Sequence, residues 1–231
     1  LLNKLVQPVT SKTLSPRDRL GIVRDLFALS ESGDIPTSNA LEFLSAYNNE
    51  DNYTVWVEIA SGLARIEQLF GADKIVEKLN TLTIKLFSPV LTSLGWDKKK
   101  NEPHADALLR SLAISRLGRA GDKKVIALAR KQFVLLKQNK PVNPDIRGAI
   151  YATVATNGGA KEHAEFIKLY KKESLHEEKN RIGNALGDFK NDKILSATVE
   201  FAFSSDVRTQ DSVSILSSVG ANPFGRNIWL K

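Results

Sequence analysis

From Ser15 to the end of the chain, apolar residues recur three and four positions apart in one window after another, with only short turns between. This periodicity constrains the fold more than any motif does. SPRDRLGIVRDLFALSES predicts a first helix: Ser15 is its N-cap, Pro16 sits at the first helical position, Leu20, Val23 and Phe27 share a face, and Gly33 ends it. Thr37 caps a second window, a third covers 52–70, and a fourth, ADKIVEKLNTLTIKLFSPVLTSLG, carries Pro89, which predicts a bend or an end there. After a lysine-rich loop come helical windows at 104–119, 122–137, 144–156, 160–172, 175–187, 191–203 and 207–219, and a last helix opening at Pro223. Val55, Val57, Ile59 and Thr81 to Ile84 have strand propensity, but each lies inside a longer window of helical period.

Short loops between such helices make neighbours antiparallel, and a long succession of pairs favours stacking over a closed bundle. Arg110, Arg147 and Arg181 each fall in the first helix of a pair, and Gly121, Gly158 and Asn191 each lead into the second, so a degenerate unit recurs every 33 to 37 residues. The expected fold is all-α: antiparallel pairs stacked as a curved α-solenoid of the HEAT or armadillo kind. It forms one domain over 1–231, with possible sub-units at 15–94 and 104–231. Trp56 and Trp96 are expected in the interior.

With 42% apolar residues in 231, the chain can bury a substantial core, and no apolar run approaches the roughly 18 residues of a membrane span. There is no cysteine, which rules out disulfides and thiolate metal sites and is compatible with the cytoplasm. The net charge of +7 is spread out: Lys98 to Lys100, Lys123 with Lys124, and Lys171 with Lys172 read as solvated lysines at helix ends and loops. No basic stripe points to nucleic acid. No methionine occurs, even at position 1, and an apolar stub of Ile228, Trp229 and Leu230 closes the sequence, so the chain reads as part of something longer, truncated at its C-terminal end.

Catalytic chemistry is not visible. HEEKN at 176–180 resembles half of the His-Glu-x-x-His zinc signature, but Asn180 stands where the second histidine belongs, so His176 and Glu177 read as the opening of a helix. His104 reads as a first-turn residue and His163 as a surface one, and no two histidines have ligand spacing. Nucleophile elbows, phosphate loops and dinucleotide fingerprints are missing too.

The order of several blocks nevertheless carries a resemblance. The opening stretch has the Asp18-Arg19 pair, Asp25, Ala28-Leu29, Gly33, Glu50, Tyr53 and Trp56. It is followed by LGWDKKKNEPHADALLRS with Gly95, Trp96 and Leu109-Arg110, then EEKNRIGNALG, VRTQD with Asp211, and NPFGRNIW with Arg226. Together they resemble the C-terminal helical domain of zinc metalloaminopeptidases of the aminopeptidase N and puromycin-sensitive aminopeptidase family, over nearly the whole chain. The resemblance implies a non-catalytic domain of an enzyme that removes N-terminal residues from peptides. It also implies that zinc and the catalytic residues belong to a catalytic domain elsewhere in the same polypeptide, so this chain alone binds no metal and is inactive. The helical domain is then expected to cap the active-site chamber and touch the distal part of peptide substrates.

On that reading, Gln210, Ser214 and Ser217, spaced i, i+4, i+7, form a small polar face turned to the chamber. Val213, Leu216 and Val219 are expected to pack on neighbouring helices, and Asp211 to pair with Arg208 or Arg226. A free-standing helical-repeat scaffold for a protein or peptide partner is the alternative; it calls for a polar capping repeat, where the sequence has its apolar stub.

Overall fold

Side-chain caps mark where four of the helices begin. Ser15 accepts from the Asp18 amide at 3.2 Å, Asn52 from Thr54 and Val55, Asp122 from Lys124 and Val125, and Asn191 from Ile194. Positive-φ glycines end four of the helices: Gly71 at φ 58° and Gly95 at φ 70° and, one residue past a cap, Gly33 at φ 83° and Gly121 at φ 86°.

The computed structural model describes residues 2–71 and 73–229, which contain thirteen α-helices and no strand. They are α1 (Leu2–Thr10), α2 (Pro16–Glu31), α3 (Thr37–Phe43), α4 (Tyr53–Phe70), α5 (Ile75–Leu94), α6 (His104–Arg119) and α7 (Lys123–Lys137). The rest are α8 (Arg147–Thr156), α9 (Ala160–Lys172), α10 (His176–Leu186), α11 (Asp192–Ala202), α12 (Thr209–Ala221) and α13 (Arg226–Trp229).

Three boundaries depart from the sequence expectation. Helix α1 was not foreseen: Pro8 lies inside it, yet Val9 is buried and Thr10 donates to the Ala46 carbonyl at 3.1 Å, so tertiary contacts hold it. Helix α5 runs through Pro89 to Leu94, because Leu86, Phe87 and Leu91 on either side are buried and their packing outweighs the lost backbone bond. Residues 223–225 form a turn and α13 starts only at Arg226. Asn222 captures that turn: its Nδ2 donates to the Gly187 and Phe189 carbonyls, both at 2.7 Å, and its Oδ1 accepts from the Phe224 amide. Leu230 and the Trp229 side chain lie outside the described residues.

Two layers result. Helices α4, α6, α8, α10 and α12 stack each on the next as an inner layer, with α5, α7, α9, α11 and α13 outside them. Inner neighbours come closest near their C-terminal ends, at small residues. A Cβ on Gly118 of α6 would fall 2.1 Å from Thr153 Oγ1 of α8, and one on Gly187 would fall 2.1 Å from Ser218 Oγ of α12. Between α8 and α10 the contact is made by larger side chains: Tyr151 of α8 donates its hydroxyl to Glu178 of α10 at 2.6 Å, and Arg181 and Arg147 lean on the same carboxylate.

Buried arginine–carboxylate pairs anchor the loops. Arg19 grips Glu50 with two hydrogen bonds of 2.6 and 2.8 Å, both side chains being almost fully enclosed. The Glu50 carboxyl also accepts from the Asp51 and Asn52 amides. Burial pushes its pKa up, but Arg19 and these amides outweigh burial and hold it below the usual carboxylate value. Trp56, fully buried as expected, donates its indole N–H to the Glu50 carbonyl and meets Phe87 at 4.9 Å. Arg110 forks onto Glu102 and donates to the Gly95 and Leu94 carbonyls, sealing the α5–α6 loop, and holds the Glu102 carboxyl at a pKa of about 2. Trp96 in that loop is only half-buried, because it stands at the layer's rim rather than between layers. Asp18 closes the α2 cap by accepting from Ser15 Oγ, and Asp25 is exposed.

His163 corrects the surface reading. It is 6% exposed, edge-on to Phe189, with Nε2 2.9 Å from Thr198 Oγ1. The Thr198 hydroxyl also lies within hydrogen-bonding reach of the Ile194 and Leu186 carbonyls, at 3.1 and 3.3 Å. Burial lowers its pKa below the usual imidazole value.

Two outcomes follow for stability. Glu50→Ala leaves the Arg19 charge enclosed and unpaired, and urea unfolding should show a loss of about 3 kcal/mol. For His163, the folded protein binds fewer protons than the unfolded chain once pH drops below about 6.5, so stability held at neutral pH declines on further acidification. Thermal unfolding between pH 7 and 5 should show this decline reduced in His163→Gln.

Candidate functional site

The ends of four inner helices and their turns enclose a cleft. A cavity of about 240 Å³ is lined by Glu67 of α4, Gly71, Lys74 and Asn80, by Arg119 at the end of α6, by Asp188 and Lys190 after α10, and by Asn222 to Phe224 after α12. An adjoining cavity of about 220 Å³ joins Ala64 and Gln68 of α4 to Ser218 and Ala221 of α12. Helices four places apart in the stack thus share one hollow, so the inner layer curves around it.

Ion pairs organise the floor. Arg116, almost fully buried, forks onto Glu67 at 2.5 and 3.1 Å. Arg119 reaches past the short α8 to donate to Asp188 at 2.6 Å. Asp188 keeps 23% side-chain exposure yet sits in a concave place walled by protein, so burial raises its pKa against the opposing pull of Arg119. Lys190 is pushed the other way: burial in the hollow and the neighbouring Arg119 lower its pKa, partly offset by Glu67. None of these residues carried a motif in the sequence. The only legible signal was charge next to a helix-ending turn.

The C-terminal end of α12 borders this hollow through Ser218, Ala221 and Asn222. Asp211, Ile215 and Ser218 face α10, where Ile215 meets Gly183 and Ser218 meets Gly187. Ser212 donates to the Ala202 carbonyl of α11 at 2.6 Å. At 100° per residue, Gln210, Ser214 and Ser217 then lie on the side turned away from α11, as does Ala221 of the second cavity. Gln210 and Ser217 are exposed, and Ser214 donates to Asn184 Oδ1 of α10 at 2.5 Å.

The apolar face of α12 differs from the expected set. Val219 is buried and Leu216 partly so, but Val213 is 65% exposed; Ile215, one turn before Val219, takes the packing role. Asp211 is buried and pairs with Arg208 through two hydrogen bonds of 2.7 and 3.0 Å, closing the first turn of α12. Arg226 is exposed at the start of α13.

No group of three histidine, cysteine, aspartate or glutamate side chains with metal-binding geometry exists among the described residues, and His104, His163 and His176 lie on three different helices. These residues do not fit a zinc centre. No described helix is long and apolar enough to cross a membrane.

Residues 1–231 match the family described as "ERAP1-like C-terminal domain", and the chain belongs to that family. It is 30% identical to Aminopeptidase M1-A of Oryza sativa subsp. japonica, an alignment covering 100% of this chain and 27% of that protein. It is 29% identical to Aminopeptidase 2 of Candida albicans over 94% of this chain and 24% of the relative. With Puromycin-sensitive aminopeptidase of Caenorhabditis elegans the figures are 25% identity, 98% of this chain and 24% of the relative. The chain thus spans about a quarter of the length of these relatives. Metal analysis of this chain, purified alone and dialysed against micromolar zinc, should find no stoichiometric metal.

Proposed function

We propose that this chain is the non-catalytic C-terminal domain of a zinc aminopeptidase, whose inner layer walls a chamber in which peptides lose N-terminal residues. The observation that carries this reading is the match of the entire chain to one quarter of several aminopeptidases. In it, zinc and the catalytic residues are supplied by a catalytic domain of the same polypeptide. A cytoplasmic site of action accords with a chain that has no cysteine.

The wall reading draws support from the inner face itself. A peptide running along a helix layer needs small side chains for close approach and scattered polar groups for backbone hydrogen bonds, and the exposed Gln210 and Ser217 with the partly exposed Ser214 supply both on one side of α12. Binding the remote part of a peptide there would contribute to positioning its N-terminus, an effect expressed in kcat/KM rather than in the chemical step alone.

Ser217→Arg in the complete enzyme fills that face with a long charged side chain. The expected result is a kcat/KM for long peptides reduced about tenfold, with aminoacyl-anilide hydrolysis unchanged. Equal values for both substrates in a folded variant would show that Ser217 faces solvent only.

A further inference from the structure

At the other ends of the inner helices, away from the hollow, the starts of α8 and α10 meet the ends of α7 and α9 around a separate pocket. It holds about 260 Å³ and is mostly polar: Arg147 and Tyr151 come from α8, Glu178 from α10, Glu173 from the end of α9, and Lys140 from the turn after α7. Leu136 and Leu169, both nearly buried, supply apolar wall together with Pro141. Asn139 turns the Lys140–Pro141 stretch over this space. It adopts the left-handed conformation at φ 55°, where glycine is usual, and the Lys140 amide then caps the Leu135 carbonyl at 2.9 Å.

Some of these polar groups are committed to one another and others are not. Tyr151 and Glu178, 2% and 3% exposed, are joined by a hydrogen bond, and Arg181 takes the other Glu178 oxygen at 2.7 Å. Burial, and after it the bond to Glu178, push the Tyr151 pKa up, so the phenol remains the donor of that pair. Arg147 is different. Its Nη1 stands 3.6 Å from Glu178 Oε2, beyond hydrogen-bond length, and its Nε is enclosed with no acceptor among the described residues. A guanidinium carries five N–H donors, and leaving them idle beside a cavity is unfavourable unless something in the cavity accepts. Lys140 is exposed at the rim. Glu173 spends Oε1 on the Ser174 and Leu175 amides, at 2.8 and 3.0 Å, which leaves Oε2 for a ligand.

We propose that this pocket binds a free α-amino acid, its carboxylate held by Arg147 and Lys140 and its ammonium by Glu173. Idle cationic donors and an idle carboxylate oxygen, brought together from three different elements, complement a zwitterion and penalise a ligand that carries only one of the two charges. Glu173 and Glu178 together disfavour a multiply charged anion such as phosphate. The pocket volume is about nine times that of a water molecule in the liquid, which admits one amino acid with its side chain against Leu136 and Leu169 and excludes a peptide. This site lies apart from the hollow and from α12, so it stands or falls independently of the chamber reading.

Three probes test it on the full-length protein: leucine, leucinamide, which lacks the carboxylate, and 4-methylpentanoate, which lacks the ammonium. Amide hydrogen exchange read over residues 136–151 and 169–178 reports on this pocket and is blind to an amino acid bound anywhere else. Leucine at about 10 mM should slow exchange several-fold in both segments, and neither single-charge probe should do so. Arg147→Met keeps the aliphatic stem and leaves Glu178 with Tyr151 and Arg181; its exchange without ligand should match the parent, and its response to leucine should be lost. Glu173→Gln keeps an acceptor for the Ser174 and Leu175 amides and should raise the leucine concentration required about tenfold. Absence of protection by leucine in these segments overturns the proposal, as does equal protection by either single-charge probe or a leucine response that persists in Arg147→Met.

Discussion

The whole arrangement depends on how closely parallel helices of the inner layer can approach. Near the C-terminal ends, glycine faces threonine, isoleucine or serine: Gly118 against Thr153, Gly183 against Ile215, Gly187 against Ser218. Between α8 and α10 the contact is made by larger side chains, Tyr151 on Glu178 with Arg147 and Arg181 against the same carboxylate. The stack of five helices curves until the ends of α4 and α12 face one hollow. Ser218 takes part in both, setting the approach of α12 to α10 and lining the second cavity.

Polar anchors work alongside that packing. Arg19–Glu50, Arg110–Glu102 and Arg116–Glu67 each join a helix to a loop or to the next helix, and each carboxylate is shielded from water. Such pairs are weak sources of net stability, because desolvation offsets most of the attraction. Their value is geometric. A forked guanidinium accepts a carboxylate in few orientations, so Arg110 fixes the α5–α6 loop that presents Trp96, and Arg19 fixes the turn that starts α4.

Much of the fold could be read in advance because helical period and caps are local signals. Ser15, Asn191 and Gly121 act where sequence rules place them, and every helix from α6 to α12 begins and ends within a few residues of its window. The departures all involve partners distant in sequence. Pro8 and Pro89 are tolerated by buried neighbours, Asn222 delays α13 by holding the loop after α10, and His163 is drawn inside by Thr198. The polar stripe on α12 was visible as spacing. The hollow at the end of that helix was not, since Glu67, Arg119, Asp188 and Asn222 converge only through the curvature of the stack.

The contact from Arg119 to Asp188 spans 69 residues and passes over an intervening helix pair. In an ordinary linear repeat array each unit touches only its neighbours, so stability is a sum of local terms, and unfolding can begin at an end and spread unit by unit. Here a link between non-adjacent units, together with a hollow shared by α4 and α12, closes the chain of interactions on itself. Fraying of the last pair would then expose surface belonging to the first, which raises the cost of partial unfolding toward that of global unfolding. A repeat protein built this way behaves less like a zipper and more like a single cooperative domain, and forming the closing contacts imposes a high contact order on its folding.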